Sequence, residues 1–286
     1  MSTPGTVLVT GAGGHVGRHV VAGLAERGVP VRAAARDPRR LTVPAGVETA
    51  ALDLTRPQTL RPALKGVRKV FLYAVPQGAA EFIAAAREAG VEQIVLLSSN
   101  TVIEWIGLPV RKPIADMHLA VEEPLAASGI PWTFLRPAHF ATNVLMWQWD
   151  RMIREDGVVR FPMPESYCDA IHEKDIAAAG VAALTEPGHE GKAYFLTGPE
   201  QITQRRQAEL IGEAIGRPVR FEEIGLEEAR IQLKEVTVDW AMDAVLGYWA
   251  ASNGVPGPLT GTVEEITGRR PLDFAQWAAD HAGDFR

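Results

Sequence analysis

The stretch Thr6-Val-Leu-Val-Thr-Gly-Ala-Gly-Gly-His-Val-Gly17 constrains the fold of this chain more than any other. Val7, Leu8 and Val9 form a short apolar run suited to a parallel strand covered on both faces. Glycines at 11, 14 and 17 follow it at once. Between such a strand and a helix, Gly11 makes the tight turn and Gly14 lets the backbone approach a pyrophosphate. Gly17 then lets the new helix, predicted over Val16 to Arg27, pack against the strand. The first N–H groups of that helix have no partner within it and favour an anion. The pattern predicts a dinucleotide site built from Thr10, Gly11, Gly13, Gly14, His15, Val16 and Gly17.

Strand and helix patterns then alternate. A second strand, Pro30 to Arg36, is closed by Asp37-Pro38. The residue at its end faces the adenosine ribose, where an arginine accommodates a 2′-phosphate and an acid favours a free hydroxyl. Arg36 therefore favours NADPH, with NADH second because Asp37 follows immediately. Further strands are expected at Val47 to Ala51, Lys69 to Tyr73, Gln93 to Leu97 and Trp132 to Arg136. Helices are expected at Pro57 to Leu64, Gly78 to Glu88 and Ile114 to Ala127, where apolar residues recur every three or four positions. The class is α/β: a Rossmann-type, doubly wound parallel sheet over residues 1–140, with ligand outside the carboxyl ends of the strands. The strand ends put Asp53 and Leu54 near the adenine, and Ala74, Val75, Ser98, Ser99 and Pro137 along the rest of the cofactor.

From residue 141 to 286 the alternation breaks and tryptophan and methionine accumulate, as expected for a smaller C-terminal α+β substrate lobe packed on the sheet ends. Helices are expected there at Lys174 to Leu184, Gln204 to Ile215, Glu223 to Lys234 and Leu272 to Ala282, and strands at Ala193 to Leu196 and Val219 to Glu222. Asn100, His139, Phe140 and Asn143 leave the strand ends toward a crevice between the lobes. Trp147, Trp149, Phe161 and Tyr167 offer it a flat apolar wall, or else pack as lobe core.

The remaining composition narrows the function. A net charge of −6 and the absence of any long Lys/Arg run argue against a nucleic-acid partner. No targeting pattern is visible, and no apolar run reaches the roughly 18 to 20 residues that span a bilayer, so the expected location is cytoplasmic. The single cysteine, Cys168, excludes an internal disulfide and reads as a small core residue or a thiol. His15 and His19 lack a third ligand, and neither His172-Glu173 nor His189-Glu190 has the second histidine of a zinc helix, so no metal is expected.

Val9 to Gly17, Ala35-Arg-Asp-Pro38, Asp53-Leu54 and the block from Pro113 to Glu123 leading to Ser128-Gly-Ile-Pro-Trp-Thr-Phe-Leu-Arg-Pro137 together carry a family likeness that runs nearly end to end. On these residues the chain resembles the NmrA-like group of atypical short-chain dehydrogenases/reductases, including its dye- and quinone-reducing members. The resemblance implies NADPH as cofactor and a small, electron-poor aromatic acceptor such as a quinone, azo compound or cationic dye. It also implies a functional histidine at His118.

The chain departs from the wider superfamily, whose acid is a tyrosine four residues before a lysine. Tyr73, Tyr167, Tyr194 and Tyr248 are followed at that spacing by Gln77, Ile171, Gly198 and Ser252, and Ile114 and His118 stand where the pair belongs. A ketone needs an acid to protonate the alkoxide that hydride addition creates, whereas an extended cation or quinone needs little help. The missing pair points to an easy acceptor or to no chemistry. His118 and Glu122 share one helix face, which suits a proton donor, an anchor for an aromatic ligand, or plain helix packing. The reading is an NADPH-dependent oxidoreductase, monomer or homodimer, that passes hydride to an aromatic acceptor. The alternatives are an NADP(H)-binding regulatory protein and a biosynthetic tailoring reductase or isomerase.

Overall fold

A computed structural model describes residues 5–103 and 112–286. The chain begins with β1 (Thr6–Val9), α1 (Gly17–Glu26), β2 (Val31–Ala35), β3 (Glu48–Ala51), α2 (Leu60–Leu64), β4 (Val67–Tyr73), α3 (Ala79–Glu88), β5 (Gln93–Leu97), α4 (Lys112–Ala126) and β6 (Trp132–Pro137). Next come α5 (Asn143–Met146), α6 (Trp149–Asp156), β7 (Val158–Phe161), β8 (Tyr167–Cys168), α7 (Glu173–Thr185), β9 (Lys192–Leu196) and β10 (Ile202–Thr203). The last elements are α8 (Gln204–Ile215), β11 (Arg220–Glu223), α9 (Leu226–Leu233), α10 (Asp239–Ser252), α11 (Thr262–Thr267) and α12 (Phe274–Asp280).

Among the described residues, seven parallel strands form the main sheet in the order β3-β2-β1-β4-β5-β6-β9. Its central strands β1, β4, β5 and β6 are apolar on both faces because helices cover both. Val7, Val9, Phe71, Val95 and Leu135 face the layer of α1 and α7, while Leu8, Val70, Leu72, Ile94, Leu96 and Phe134 face α2, α3 and α4. Period-two alternation along each strand thus fills two cores. The order reverses at β1, between β2 and β4, and this switch point opens a crevice at the carboxyl ends.

The C-terminal lobe does not begin at a single cut. α7 and β9, which the sequence assigns to the lobe, return to the sheet domain. β9 pairs with β6, Thr133 opposite Lys192 and Pro137 opposite Leu196, and α7 packs beside α1. A Cβ on Gly180 of α7 would lie 2.7 Å from the Phe71 ring, so glycine there lets the helix sit down on β4. The lobe proper has its own core, in which Trp147, Trp149, Phe161, Trp249, Phe274 and Trp277 are buried. It also carries a parallel pair, β7 with β11, and an antiparallel pair, β8 with β10. Seven elements beyond residue 141, namely α5, α6, β7, β8, β10, α10 and α11, are absent from the expectations drawn from the sequence. α10 in particular lacks a polar stripe, with Met242, Ala244, Leu246, Tyr248 and Trp249 buried and Gly247 in its middle.

Candidate active site

The glycine turn has the geometry its sequence requires. Gly11 adopts φ +60°, a conformation natural to glycine, and its carbonyl accepts from Gly14 N–H at 2.9 Å. The N–H groups of Gly13, His15 and Val16 donate to nothing among the described residues and lie where α1 begins. Together these donors and the helix end form a cradle for a phosphate, so the residues present fit a dinucleotide. Thr10 ties the floor of the cradle together: its hydroxyl donates to Phe71 O at 3.2 Å and accepts from Tyr73 N–H at 2.7 Å, joining the ends of β1 and β4.

Arg36 lies exposed at the end of β2 and makes no ion pair among the described residues. Asp37, its rival for the ribose, is committed elsewhere. Its carboxylate accepts from Arg39 Nε at 2.9 Å and from Arg39 N–H at 3.2 Å, bonds that hold its pKa below the usual carboxylate range. Asp53 is held ionised in the same way by the Thr55 hydroxyl and N–H, and the Arg36 charge adds to the effect. Leu54 presses its carbonyl against Gly78, where a Cβ would lie only 2.0 Å away. Ala74 and Val75 follow β4 directly into the same crevice.

A cavity of about 430 Å³ opens at the carboxyl ends of β5 and β6. Ser98, Ser99, Asn100, Pro137, His139, Phe140, Asn143, Trp147 and His118 line it, so most of the sequence-derived nicotinamide and substrate residues converge there. Ser98 is buried and its hydroxyl is unpartnered, whereas the Ser99 hydroxyl accepts from Thr101 N–H at 3.2 Å. The lobe supplies the opposite wall through Trp149, Tyr248 and Trp249, with the Trp249 ring edge-on to Trp147 at 5.4 Å. Tyr248 and Trp249 lie on α10 and were missed with it.

Three expectations change in the structure. Glu122 does not reach the cavity. It is buried in a two-pronged ion pair with Arg136, Nε to Oε1 at 3.0 Å and Nη2 to Oε2 at 2.5 Å, because the planar guanidinium at the end of β6 matches a carboxylate better than an imidazole can. Among the described residues His118 is thereby left with no acid partner. Its Nδ1 is buried without a hydrogen bond, and burial lowers its basicity although the Glu122 charge partly opposes this, so the ring is neutral near pH 7. Tyr167 also misses the wall, its carbonyl accepting from the Tyr248 hydroxyl at 3.1 Å. Phe161 packs in the lobe core against Trp249, 4.8 Å between ring centroids, rather than on the cavity. Cys168 does line the cavity, but burial first and the Asp169 charge second push its thiol up to about 12, which makes it inert.

A family model described as NAD(P)H-binding matches residues 11–187, from the glycine turn through α7. The chain belongs to this family, within the NmrA-like atypical short-chain dehydrogenases/reductases. This NAD(P)H-binding protein is 39% identical over 289 residues to the (4-alkanoyl-5-oxo-2,5-dihydrofuran-3-yl)methyl phosphate reductase of Streptomyces griseus, covering 98% of this chain and 99% of the relative. It is 37% identical over 291 residues to the NAD(P)H azoreductase of Xenophilus azovorans, again covering 98% and 99%. Its structure matches that of Citrobacter sp. triphenylmethane reductase complexed with NADP(H), with a TM-score of 0.78 at 25% identity over 96% of this chain and 99% of that one. Among its described residues no helix is long and apolar enough to cross a membrane.

Proposed function

We propose that this NAD(P)H-dependent oxidoreductase uses NADPH to reduce a flat, conjugated acceptor such as a quinone, an azo compound or a cationic dye. The observation that carries the reading is the aromatic cavity joined to the strand ends where Ser98, Ser99 and Asn100 meet the crevice. The 2′-phosphate falls to Arg36, which is uncommitted while Asp37 is held by Arg39. The diphosphate falls to the N–H groups of Gly13, His15 and Val16. Bound NADPH supplies a hydride from its nicotinamide ring. The work of the chain is orientation, since holding reacting atoms at about 3 to 3.5 Å converts a bimolecular step into a near-unimolecular one. Trp147 and Trp249 back the acceptor with an apolar wall and keep water away from it. His118, neutral and with no hydrogen bond to Nδ1 among the described residues, offers a hydrogen bond that fixes the acceptor's angle. The proposal includes a cytosolic location and a monomer or homodimer without a nucleic-acid partner.

The names of the relatives support both dye-like acceptors and an unsaturated lactone. The test follows NADPH absorbance with four acceptors: a naphthoquinone, an azo dye, a triphenylmethane cation and an alkylidene or butenolide lactone. Turnover with at least one aromatic acceptor is expected, and His118→Ala is expected to slow it about tenfold with the Kd for NADPH unchanged, as for loss of one orienting hydrogen bond of roughly 1.5 kcal/mol. NADPH binding without turnover of any acceptor would favour the regulatory reading. Turnover of the lactone alone would favour the biosynthetic one.

A further inference from the structure

The cavity needs a source of protons as well as of hydride, and its wall offers few. Among the described residues its titratable groups are Tyr73, His118, His139, Cys168 and Tyr248. Tyr73 is at the rim, 54% exposed. The Tyr248 hydroxyl already donates to a backbone carbonyl, Cys168 is an inert thiol, and His118 is a buried neutral ring without an acid partner.

His139 differs from all of these. Its Nδ1 is 3.2 Å from Asp169 Oδ1, and its own N–H points at the same oxygen at 3.4 Å. Its ring stacks on Tyr248, 4.2 Å between centroids and 27° between planes. Its backbone is clamped as well, with Ile171 N–H donating to His139 O at 2.7 Å and Ala141 N–H donating to Ile171 O at 2.9 Å. A carboxylate, an aromatic face and a backbone bond to its carbonyl therefore fix one imidazole against the cavity. With Nδ1–H given to Asp169, the exchangeable position is Nε2, which bonds to nothing among the described residues.

We propose that His139 is a catalytic residue, the general acid that protonates the reduced acceptor, and that Asp169 is its positioning residue. This rests on the hydride-transfer reading above. With an azo acceptor, hydride adds to one nitrogen and the N=N π bond breaks, leaving its electron pair on the other nitrogen. That nitrogen takes the proton from Nε2 of the doubly protonated ring, and solvent returns a proton to Nε2. One azo group, one NADPH and one proton become one hydrazo group and one NADP+. A triphenylmethane cation needs no such proton, because hydride addition to its central carbon already neutralises it.

The two acceptors therefore separate the role. His139→Gln, which keeps a hydrogen-bonding side chain of similar length, is expected to lower kcat/KM for the azo dye about 100-fold, the low end for loss of a general acid, and that for the cation by less than about fivefold. In the cofactor-free protein, 15N spectra of the neutral ring are expected to show a single His139 tautomer, with the proton on Nδ1 facing Asp169. Asp169→Asn is expected to mix the tautomers and slow the azo reaction while NADPH binding persists, which controls for folding. Equal losses with both dyes, no loss with either, or a His139 ring whose tautomer ignores Asp169 would overturn the role. A wild-type protein that oxidises no NADPH with either dye would overturn this role, and one that oxidises none with a naphthoquinone as well would sink the hydride-transfer reading itself.

Discussion

Gly17→Ala is expected to raise the Kd for NADPH at least about 100-fold, as for losing two hydrogen bonds to a charged group at roughly 1.5–3 kcal/mol each. The added methyl would lie 2.2 Å from Gly11 O, 2.9 Å from Gly11 C and 3.0 Å from Ala12 Cα. All three are backbone atoms of the turn, so no side chain can swing aside. Either the turn opens or α1 lifts from it, and both move the N–H groups of His15 and Val16 away from the phosphate position. Overpacking of this kind also costs about 1–3 kcal/mol of stability, a fall of a few degrees in Tm for a chain of this size. Gly28→Ala is the contrasting control: it burdens a positive φ, +70°, which Gly17 does not have, but nothing lies within 4 Å of its added Cβ. It is expected to cost about 1 kcal/mol and leave NADPH affinity unchanged. Calorimetric titration of both variants decides the matter, and a Gly17→Ala protein that binds NADPH like wild type would show that the cradle is elsewhere.

The second large effect is expected at Glu173, where α7 of the sheet domain meets α12 of the lobe. Its carboxylate is 1% exposed and accepts from Trp277 Nε1 at 3.1 Å and His281 Nε2 at 2.8 Å, with Arg18 at 3.7 Å. Burial pushes this carboxyl up, but donors on His172 and His281 outweigh burial and bring it well below its ordinary range. Burial likewise lowers His281, and hydrogen bonds to Glu173 and Asp284 more than reverse that, so its net shift is upward. Glu173→Leu strands the partner donors in the dry junction and is expected to cost about 3–5 kcal/mol, read from urea unfolding. The sign of the pH dependence follows from the two shifts. A depressed carboxyl gives stability that is present above its ordinary 4.5 and is lost on acidification. A raised imidazole gives stability that is full below its ordinary 6.5 and is lost as pH rises through its folded value. Wild-type stability is therefore expected to plateau between these values and decline on both sides. A flat profile in Glu173→Leu would assign both limbs to the cluster, and unchanged limbs would place them elsewhere.

The nucleotide half was legible in the sequence because its determinants are local. Val7 to Gly17 specifies strand, turn and helix within a dozen residues, and the ends of β4, β5 and β6 name their own crevice residues. What a strand cannot name is its neighbour. The Lys192–Leu196 strand gives no sign that it will lie beside β6, so the return of α7 and β9 to the sheet was invisible. α10 escaped because burial on several sides erases the polar stripe by which a helix is read, and with it went Tyr248 and Trp249 from the cavity wall. Glu122 shows the limit of spacing on a helix. Four residues after His118 it shares that face in principle, but Arg136, fourteen residues further on, takes the carboxylate. His139 was placed at the crevice, yet its acid partner Asp169, thirty residues away, was not.

The measurement that bears most directly on the central claim is the fate of the hydride. With NADPH carrying deuterium at C4 of the nicotinamide and a triphenylmethane cation as acceptor in ordinary water, one deuterium is expected on the central carbon of the colourless product, a C–D bond that does not exchange. Label from only one of the two C4 faces is expected, because the cavity presents the acceptor to one side of the ring. Decolourised dye without deuterium from either C4 epimer of the cofactor, or labelled cofactor bound and left unconsumed, would contradict direct transfer in this cavity.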